Sequence, residues 1–421
     1  MAERGLDIVV FGATGFVGAL TAAHLASVAP EVRIGLAGRS LARLERLRDD
    51  LGDPARGWEL TGVDARDPVG LRRLASRTRV LVTTVGPYIR YGREVVRACA
   101  DAGTDYADLT GEVLFVRWAL DEVAERARRT GARIVHSCGF DSIPSDLGVW
   151  LTAQRAAEDG TGTLGDTTLV VRTMKGGLSG GTIDSARQQA IIARADPEAR
   201  RLLADPYALS PSRAAEPSGA YGAPRGGRLG GLPRVERDPS SGHWLGPFVM
   251  ADYNERVVRL SNALTGWSYG RGFRYREVAD FGGGPLAPVR AAGMGVGVAA
   301  LQRGLSWAPT RTVLDRVLPA PGQGPSASQR AAGRFRMEIT ATATAGGRYL
   351  TTVAAERDPG YNGTAIMLGQ TALCLALTTS PRSEPAGVLT PATAMGDALV
   401  GRLRAQGFTF DVRSLGVARR D

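Results

Sequence analysis

A short β-branched run, Asp7-Ile8-Val9-Val10-Phe11, passes directly into Gly12-Ala13-Thr14-Gly15-Phe16-Val17-Gly18, and an apolar helical pattern begins at once behind it. Nothing else in the chain restricts its fold as strongly. A strand buried on both faces, a glycine-spaced turn and a helix form the context of a phosphate-binding sheet-to-helix crossover. Gly12 permits the tight turn, Gly15 brings backbone close to a phosphate, and Gly18 lets the helix sit against the strand. Ala13, Thr14, Phe16 and Val17 complete the turn, and the helix N-terminus offers its free N–H groups to a pyrophosphate.

The next strand, Val32 to Ala37, carries the choice of cofactor at its end. A carboxylate there would accept hydrogen bonds from a ribose 2′-hydroxyl; this chain instead has Gly38-Arg39-Ser40. Guanidinium and hydroxyl groups suit a 2′-phosphate, so the expected cofactor is NADP(H), with Arg39 and Ser40 as the reading pair. The plainer alternative is a surface arginine that caps the following helix. Glu59 to Val63 reads as a third strand, after which Asp64 either meets the adenine or caps the helix from Pro68. Val80 to Val85 reads as a fourth strand, and Gly86-Pro87 behind it leaves room for the nicotinamide half. A helix over about 92–102, a strand at Asp105 to Leu109, a long helix to about 130 and a strand at Arg133 to Ser137 continue the alternation. The expected fold class is α/β, with residues 1–150 forming a Rossmann-type, doubly wound parallel sheet whose ligands sit at the carboxyl ends of the strands.

Absences narrow the chemistry. Among the 421 residues Lys175 is the single lysine, which excludes a P-loop, and no tyrosine stands four residues before it. His24, His136 and His243 form no zinc motif, so no metal is expected. No G-x-S-x-G nucleophile elbow occurs. Cys99, Cys138 and Cys374 are too few and too scattered for a disulfide framework. The net charge of +10 comes from dispersed arginines without a basic arm, which disfavours nucleic acid and suits a multiply charged cofactor. The N-terminus lacks an apolar signal region and no run of about 18 apolar residues exists, so a soluble, cytoplasmic protein is expected.

Beyond residue 150 the pattern changes. Thr167 to Thr173, Phe273 to Val278, and a two-glycine hairpin joining Phe335–Thr342 to Tyr349–Ala354 point to a second α+β domain, 151–385, with a mixed or antiparallel sheet. A helix over about 365–377 is expected to cover that sheet. The Pro- and Gly-rich stretch 206–246 reads as a mobile loop, either a lid or an insertion without function. Residues 285–305 are unusually apolar and fit either a lipid- or membrane-facing helix or a buried or subunit-interface one. A final helix and strand, 386–421, have a return to the first domain as one option.

Several phrases together resemble a known family: the glycine turn, Ala37-Gly38-Arg39, Gly86-Pro87-Tyr88, Asp105 to Glu112 and Cys138 to Gly148. With Gly180-Gly181-Thr182, Asp358 to Tyr361 and Leu389 to Gly396, they are similar to the saccharopine dehydrogenase-like oxidoreductases, in the actinobacterial branch of trans-acting enoyl reductases of complex-lipid assembly. The resemblance covers nearly the whole chain. It implies an NADPH-dependent reductase of an enoyl thioester held by a polyketide synthase or its acyl carrier, and it fixes no oligomeric state. Its rivals are a saccharopine-type reductase of an imine or keto substrate and a non-catalytic NADP-binding scaffold on lipid or synthase surfaces.

Enoyl reduction needs a donor at the thioester oxygen and a proton for the α-carbon. Tyr88 is the first candidate, followed by Asp141 and Ser142. The structural alternatives are that Tyr88 walls the pocket and that Asp141 or Ser142 caps the helix near Ile143.

Overall fold

In a computed structural model describing residues 4–176, 180–216, 235–306, 324–378 and 385–417, the chain builds two seven-stranded sheets. The first follows the expected alternation: β1 (Leu6–Phe11), α1 (Phe16–Val28), β2 (Ile34–Gly38), α2 (Leu41–Leu51), β3 (Glu59–Gly62), α3 (Pro68–Ser76), β4 (Thr78–Thr83), α4 (Tyr88–Tyr91), α5 (Arg93–Ala102), β5 (Asp105–Asp108), α6 (Val113–Glu122), α7 (Ala124–Thr130) and β6 (Arg133–Val135). The strands run parallel in the order β3-β2-β1-β4-β5-β6. β1 lies centrally, with Val10 opposite Leu36 on one side and Val82 on the other, which explains its nearly unbroken burial. The order reverses between β1 and β4, and that switch point opens a crevice at their carboxyl ends. The helix expected to run unbroken to residue 130 is interrupted at Val123, whose backbone leaves helical geometry between α6 and α7.

From β6 the chain enters α8 (Ile143–Glu158), β7 (Leu164–Lys175), α9 (Gly180–Ala195), α10 (Pro197–Ala204), β8 (Glu236–Arg237), β9 (Trp244–Pro247), α11 (Ala251–Leu264), β10 (Arg274–Asp280), α12 (Ala287–Ser306), α13 (Ala327–Ala331), β11 (Arg334–Ala343) and β12 (Gly347–Ala355). The rest comprises α14 (Thr364–Leu377), β13 (Gly387–Leu389), α15 (Pro391–Ala405) and β14 (Thr409–Val417). The second sheet has the order β14-β12-β11-β7-β10-β9-β8 and is mixed: β10 pairs with β7 in parallel, and its other pairs are antiparallel. β11 alternates buried and exposed residues, as a sheet packed on one face requires. α8 lies on that face so closely that a Cβ on Gly148 would stand 2.5 Å from Ile339.

The expectation that helix 365–377 covers the second sheet is corrected. α14 instead packs against α1, β4 and β5 of the first sheet, with Gly369 pressed to the His24 ring. Every residue from Thr364 to Ala376 is buried, so the helix has no polar side to turn outward and needs apolar partners all round. The C-terminal segment divides between the sheets: β13 extends the first beside β6, and β14 extends the second beside β12.

The stretch 206–246 also differs from an unstructured loop. Tyr207 to Ser210 are buried, Arg117 of α6 donates to the carbonyls of Ala208 and Ser210, and β8 and β9 join the second sheet. Residues 217–234 lie outside the described part. In α12, Ala287, Ala291 and Gly295 turn inward, while Val289, Met294 and Val296 are exposed, as is Leu286 just before it. Among the described residues no helix is long and apolar enough to cross a membrane.

One buried carboxylate joins three helices. Asp146 of α8 accepts the Ala392 N–H at 2.8 Å and the hydroxyl of Ser261 on α11. Burial pushes its carboxyl up to about 6, against the pull of these donors.

Candidate functional site at the carboxyl edge of the first sheet

The glycine turn is as tight as its composition requires. Gly12 has φ +82°, and a Cβ there would lie 2.6 Å from Val85. A Cβ on Gly18 would stand 2.3 Å from the Gly12 carbonyl oxygen, so α1 can approach the turn only without one. Thr84, behind β4, donates its hydroxyl to that same carbonyl at 3.2 Å and fixes the turn over the crevice. Gly15 is the N-cap of α1; no side chain caps the helix and its first turn holds no acid. The N–H groups of that turn are therefore available to an anion. The side chain of Ala13 is buried, Thr14 offers its carbonyl to Arg43 at 3.2 Å, and the Val17 carbonyl accepts the Thr21 hydroxyl. Phe16 anchors the turn to the second domain: Tyr361 meets its ring edge-on at 5.0 Å, and the Arg330 guanidinium lies 5.2 Å from it.

Behind β2, Arg39 is exposed and makes no hydrogen bond or ion pair among the described residues. Ser40 is the N-cap of α2, yet its hydroxyl makes no capping bond. A guanidinium and a hydroxyl left free together at this strand end fit a 2′-phosphate. Asp64 does not cap α3; that place belongs to Asp67, which accepts the N–H groups of Val69 and Gly70. Asp64 instead accepts the Arg66 N–H within its own turn. Gly86 and Pro87, joined by a cis peptide, follow β4 beside the glycine turn, with Pro87 at the start of α4.

The catalytic candidates separate sharply. Tyr88 is buried, and its hydroxyl is engaged on both sides, donating to the Thr83 carbonyl at 3.3 Å and accepting the Leu109 N–H at 3.2 Å. Its ring stacks on Phe115, and burial holds its hydroxyl well above the ordinary tyrosine range. Tyr88 thus ties the ends of β4 and β5 together, with its hydroxyl hydrogen directed at the Thr83 carbonyl. Ser142 is buried too and donates to Asn254 of α11 at 3.0 Å. Asn254 in turn donates to Glu277, which also accepts the Tyr275 hydroxyl at 2.8 Å. Although Ser142 is the N-cap of α8, its side chain makes no cap, because this buried link holds it.

Asp141 is different. It is half-buried at the carboxyl end of β6, and burial pushes its carboxyl up to about 6, while the Thr182 hydroxyl bonded to it pulls the other way. A carboxyl raised to about 6 is suited to hold and release a proton.

Several residues that organise the site escape a reading of the sequence alone. Glu112 accepts the N–H groups of Tyr88 at 2.7 Å and Ile89 at 2.8 Å, and the Ser185 hydroxyl of α9 at 2.6 Å. Burial raises its carboxyl, opposed by these three donors. Asp108 accepts from the Tyr106 hydroxyl, the Thr110 and Ser137 N–H groups and the His136 ring at 2.7 Å. His136 Nε2, on the far side of the ring, is buried with no hydrogen-bond partner among the described residues. α9 therefore sits over the ends of β5 and β6 through Ser185, Thr182 and Gln189, whose amide approaches the Gly111 carbonyl at 3.4 Å. The recognisable signal was the phrase Thr110-Gly111-Glu112, which places a carboxylate one turn beyond a strand end. Among the described residues no group of histidine, cysteine and carboxylate side chains could hold a metal.

Residues 8–135 match the family model of the saccharopine dehydrogenase NADP binding domain. Over 420 residues the chain is 49% identical to a putative trans-acting enoyl reductase of Mycobacterium tuberculosis, with 98% of each chain covered. It is 46% identical over 417 residues to a trans-acting enoyl reductase of Mycobacterium bovis, covering 96% of this chain and 97% of that one. Among solved structures, the apo saccharopine dehydrogenase (L-Glu forming) of Saccharomyces cerevisiae superposes with a TM-score of 0.54 at 14% identity, covering 98% of this chain and 100% of that one. That likeness is one of fold.

Proposed function

The chain belongs to the saccharopine dehydrogenase-like oxidoreductases, in the branch of the trans-acting enoyl reductases, and from that membership we propose that it reduces the carbon–carbon double bond of an enoyl thioester carried by a polyketide synthase. The observation that carries this reading is the near-complete, 49% identical alignment with a relative of that name. The free Arg39 and the uncapped α1 N-terminus support the cofactor half of it.

Gly12 to Gly18, Arg39, Ser40 and the backbone near Gly86 and Pro87 would hold NADPH, which when bound would supply a hydride for the β-carbon. The α-carbon then needs a proton, and Asp141 is the residue of this chain to hold it. Its carboxyl is protonated for an appreciable fraction of molecules near neutral pH, since burial raises it to about 6. Thr182 orients the carboxyl and limits how far it rises. Glu112, Tyr88 and Asp108 keep the strand ends at fixed spacing, so that Asp141 stands in one place relative to the cofactor crevice.

The test is NADPH oxidation by purified protein offered 2-enoyl thioesters, 2-oxo acids with amines, and no substrate. Turnover confined to the enoyl thioesters is expected. Turnover confined to the 2-oxo acids, or none with any substrate while NADPH binds, would overturn the reading.

A further inference from the structure

Lys175, the single lysine of the sequence, closes β7 and lines a cavity of about 470 Å³ outside the cofactor crevice. That volume lies within the usual range for small-molecule sites, roughly 300–1,000 Å³. Its walls come from the second domain alone: Lys175 and Gly176, the α13 segment with Pro325, Ser328 and Gln329, and Asp358.

The charge arrangement here is unusual. In the β7–β11 ladder Lys175 stands directly opposite Arg334, and both side chains are exposed. Like charges facing each other across a ladder destabilise a sheet. Neither cation has an ion pair among the described residues. Most arginines of the second sheet are paired, as Arg172 is with Asp280 and Glu338. The nearby acid, Asp358, also lines the cavity but makes no ion pair with Lys175; its Oδ2 accepts the N–H groups of Tyr361 at 2.7 Å and Asn362 at 3.3 Å. Two facing cations beside the cavity outnumber the one carboxylate that lines it and form a place for an anion.

The remaining walls narrow the kind of anion. Gln329 spends its Oε1 on the Ser326 N–H at 2.9 Å, which leaves its amide nitrogen as a donor, and Ser328 contributes a hydroxyl. Pro325 and Ala332 are apolar. Two cations beside amide, hydroxyl and short apolar surfaces match a flexible arm that bears a phosphate at one end and amides along its length. Residues next to the cavity also touch the cofactor turn. Gly324, next to Pro325, packs on the Phe16 ring, and Tyr361, three residues after Asp358, meets the ring's edge.

We propose that this cavity binds the phosphopantetheine arm of the thioester substrate, with Lys175 and Arg334 facing its phosphate and Ser328 and Gln329 its amides. The inference rests on the proposed enoyl thioester chemistry, yet its test does not depend on turnover. The full chain, saturated with NADPH, is titrated calorimetrically with 4′-phosphopantetheine and with pantetheine, which lacks the phosphate. Phosphopantetheine is expected to bind about tenfold more tightly, a margin that Lys175→Gln abolishes and Lys175→Arg keeps. Arg334→Gln reduces the margin similarly, and unchanged NADPH affinity shows each variant to be folded. Coenzyme A, titrated in parallel, distinguishes the sources: tighter binding than the truncated arm indicates free coenzyme A thioesters, and equal binding a carrier-tethered arm. Equal affinity for phosphopantetheine and pantetheine in the wild type, or a margin that survives Lys175→Gln, overturns the proposal. Failure of enoyl reduction with this margin intact would instead count against the proposed reaction.

Discussion

The Glu112 carboxylate accepts the Ser185 hydroxyl at 2.6 Å, and through that bond the first sheet holds α9 of the second domain. Because Glu112 also carries the Tyr88 and Ile89 N–H groups, one buried side chain fixes the loops behind β4 and β5 and the helix above them. Ser185→Ala removes one of the three donors that oppose the burial of this carboxylate. The expected loss is about 1.5–3 kcal/mol, the usual size for a hydrogen bond to a charged group. The Ser185 bond lowers the Glu112 carboxyl, so its removal raises that group further. A raised carboxyl contributes stability that disappears as pH rises, so the variant's deficit should be larger at pH 8 than at pH 5. Paired melting curves at the two pH values check this; an equal deficit at both would place the charge elsewhere.

Asp141 makes the proposed proton delivery measurable. The step requires the protonated carboxyl, so kcat should fall as pH rises through about 6. Asp141→Asn should lower kcat by roughly 10²- to 10⁴-fold, the usual contribution of a general acid, and erase that limb. NADPH affinity should hold. Thr182→Val supplies the sharper check. The Thr182 hydroxyl stabilises the charged form, so its loss should move the limb to higher pH with little change in the plateau. A limb that stays in place in Thr182→Val would remove Asp141 from the reaction.

The first sheet was legible because its strands are short, β-branched and buried on both faces, and because Gly12, Gly15 and Gly18 stand at a spacing that steric contact alone explains. α14 was legible as a helix but not in its placement, since a helix apolar on every side carries no face that names its partner. β13 is three residues long and gives no period to read. The site divides in the same way. The roles proposed for Arg39 and Ser40 rest on local spacing, whereas the hydroxyls of Tyr88 and Ser142 are engaged by Leu109 and Asn254, distant in sequence. Whether a buried hydroxyl is free or spent is a tertiary fact.

A second acid should shape stability without touching chemistry. Glu277 is buried among Ser145, Asn254 and Tyr275, with Glu255 nearby, and burial pushes its carboxyl from 4.5 to about 8. The folded chain therefore keeps a proton that the unfolded chain releases. The associated stability is complete below pH 4.5 and is lost progressively as pH climbs towards 8. At about 1.4 kcal/mol per pKa unit the loss is on the order of a few kcal/mol. Glu277→Gln keeps the shape and cannot ionise, so its melting temperature should decline less than that of the wild type between pH 5.5 and 8, as differential scanning fluorimetry would record. Parallel declines would mean that Glu277 keeps no such proton.

Arg39 is the residue proposed to choose between the two nicotinamide dinucleotides. Its guanidinium is exposed and without a partner among the described residues, so Arg39→Ala removes no internal contact and should leave the melting temperature unchanged. What it removes, on the proposed reading, is a charge-assisted bond to the 2′-phosphate, for which about 1.5–3 kcal/mol is typical. NADPH affinity should thus fall roughly 10- to 100-fold, given tenfold for every 1.4 kcal/mol. NADH has no 2′-phosphate and should bind the variant about as well as it binds the wild type. Arg43, one helical turn on, is occupied by the Thr14 carbonyl and is not expected to substitute. Arg39→Glu should go further and reverse the preference, because a carboxylate repels the phosphate and accepts bonds from a ribose hydroxyl. Fluorescence titration of both cofactors against both variants reads the outcome directly. Equal weakening towards NADPH and NADH would show that Arg39 shapes the turn without reading the phosphate.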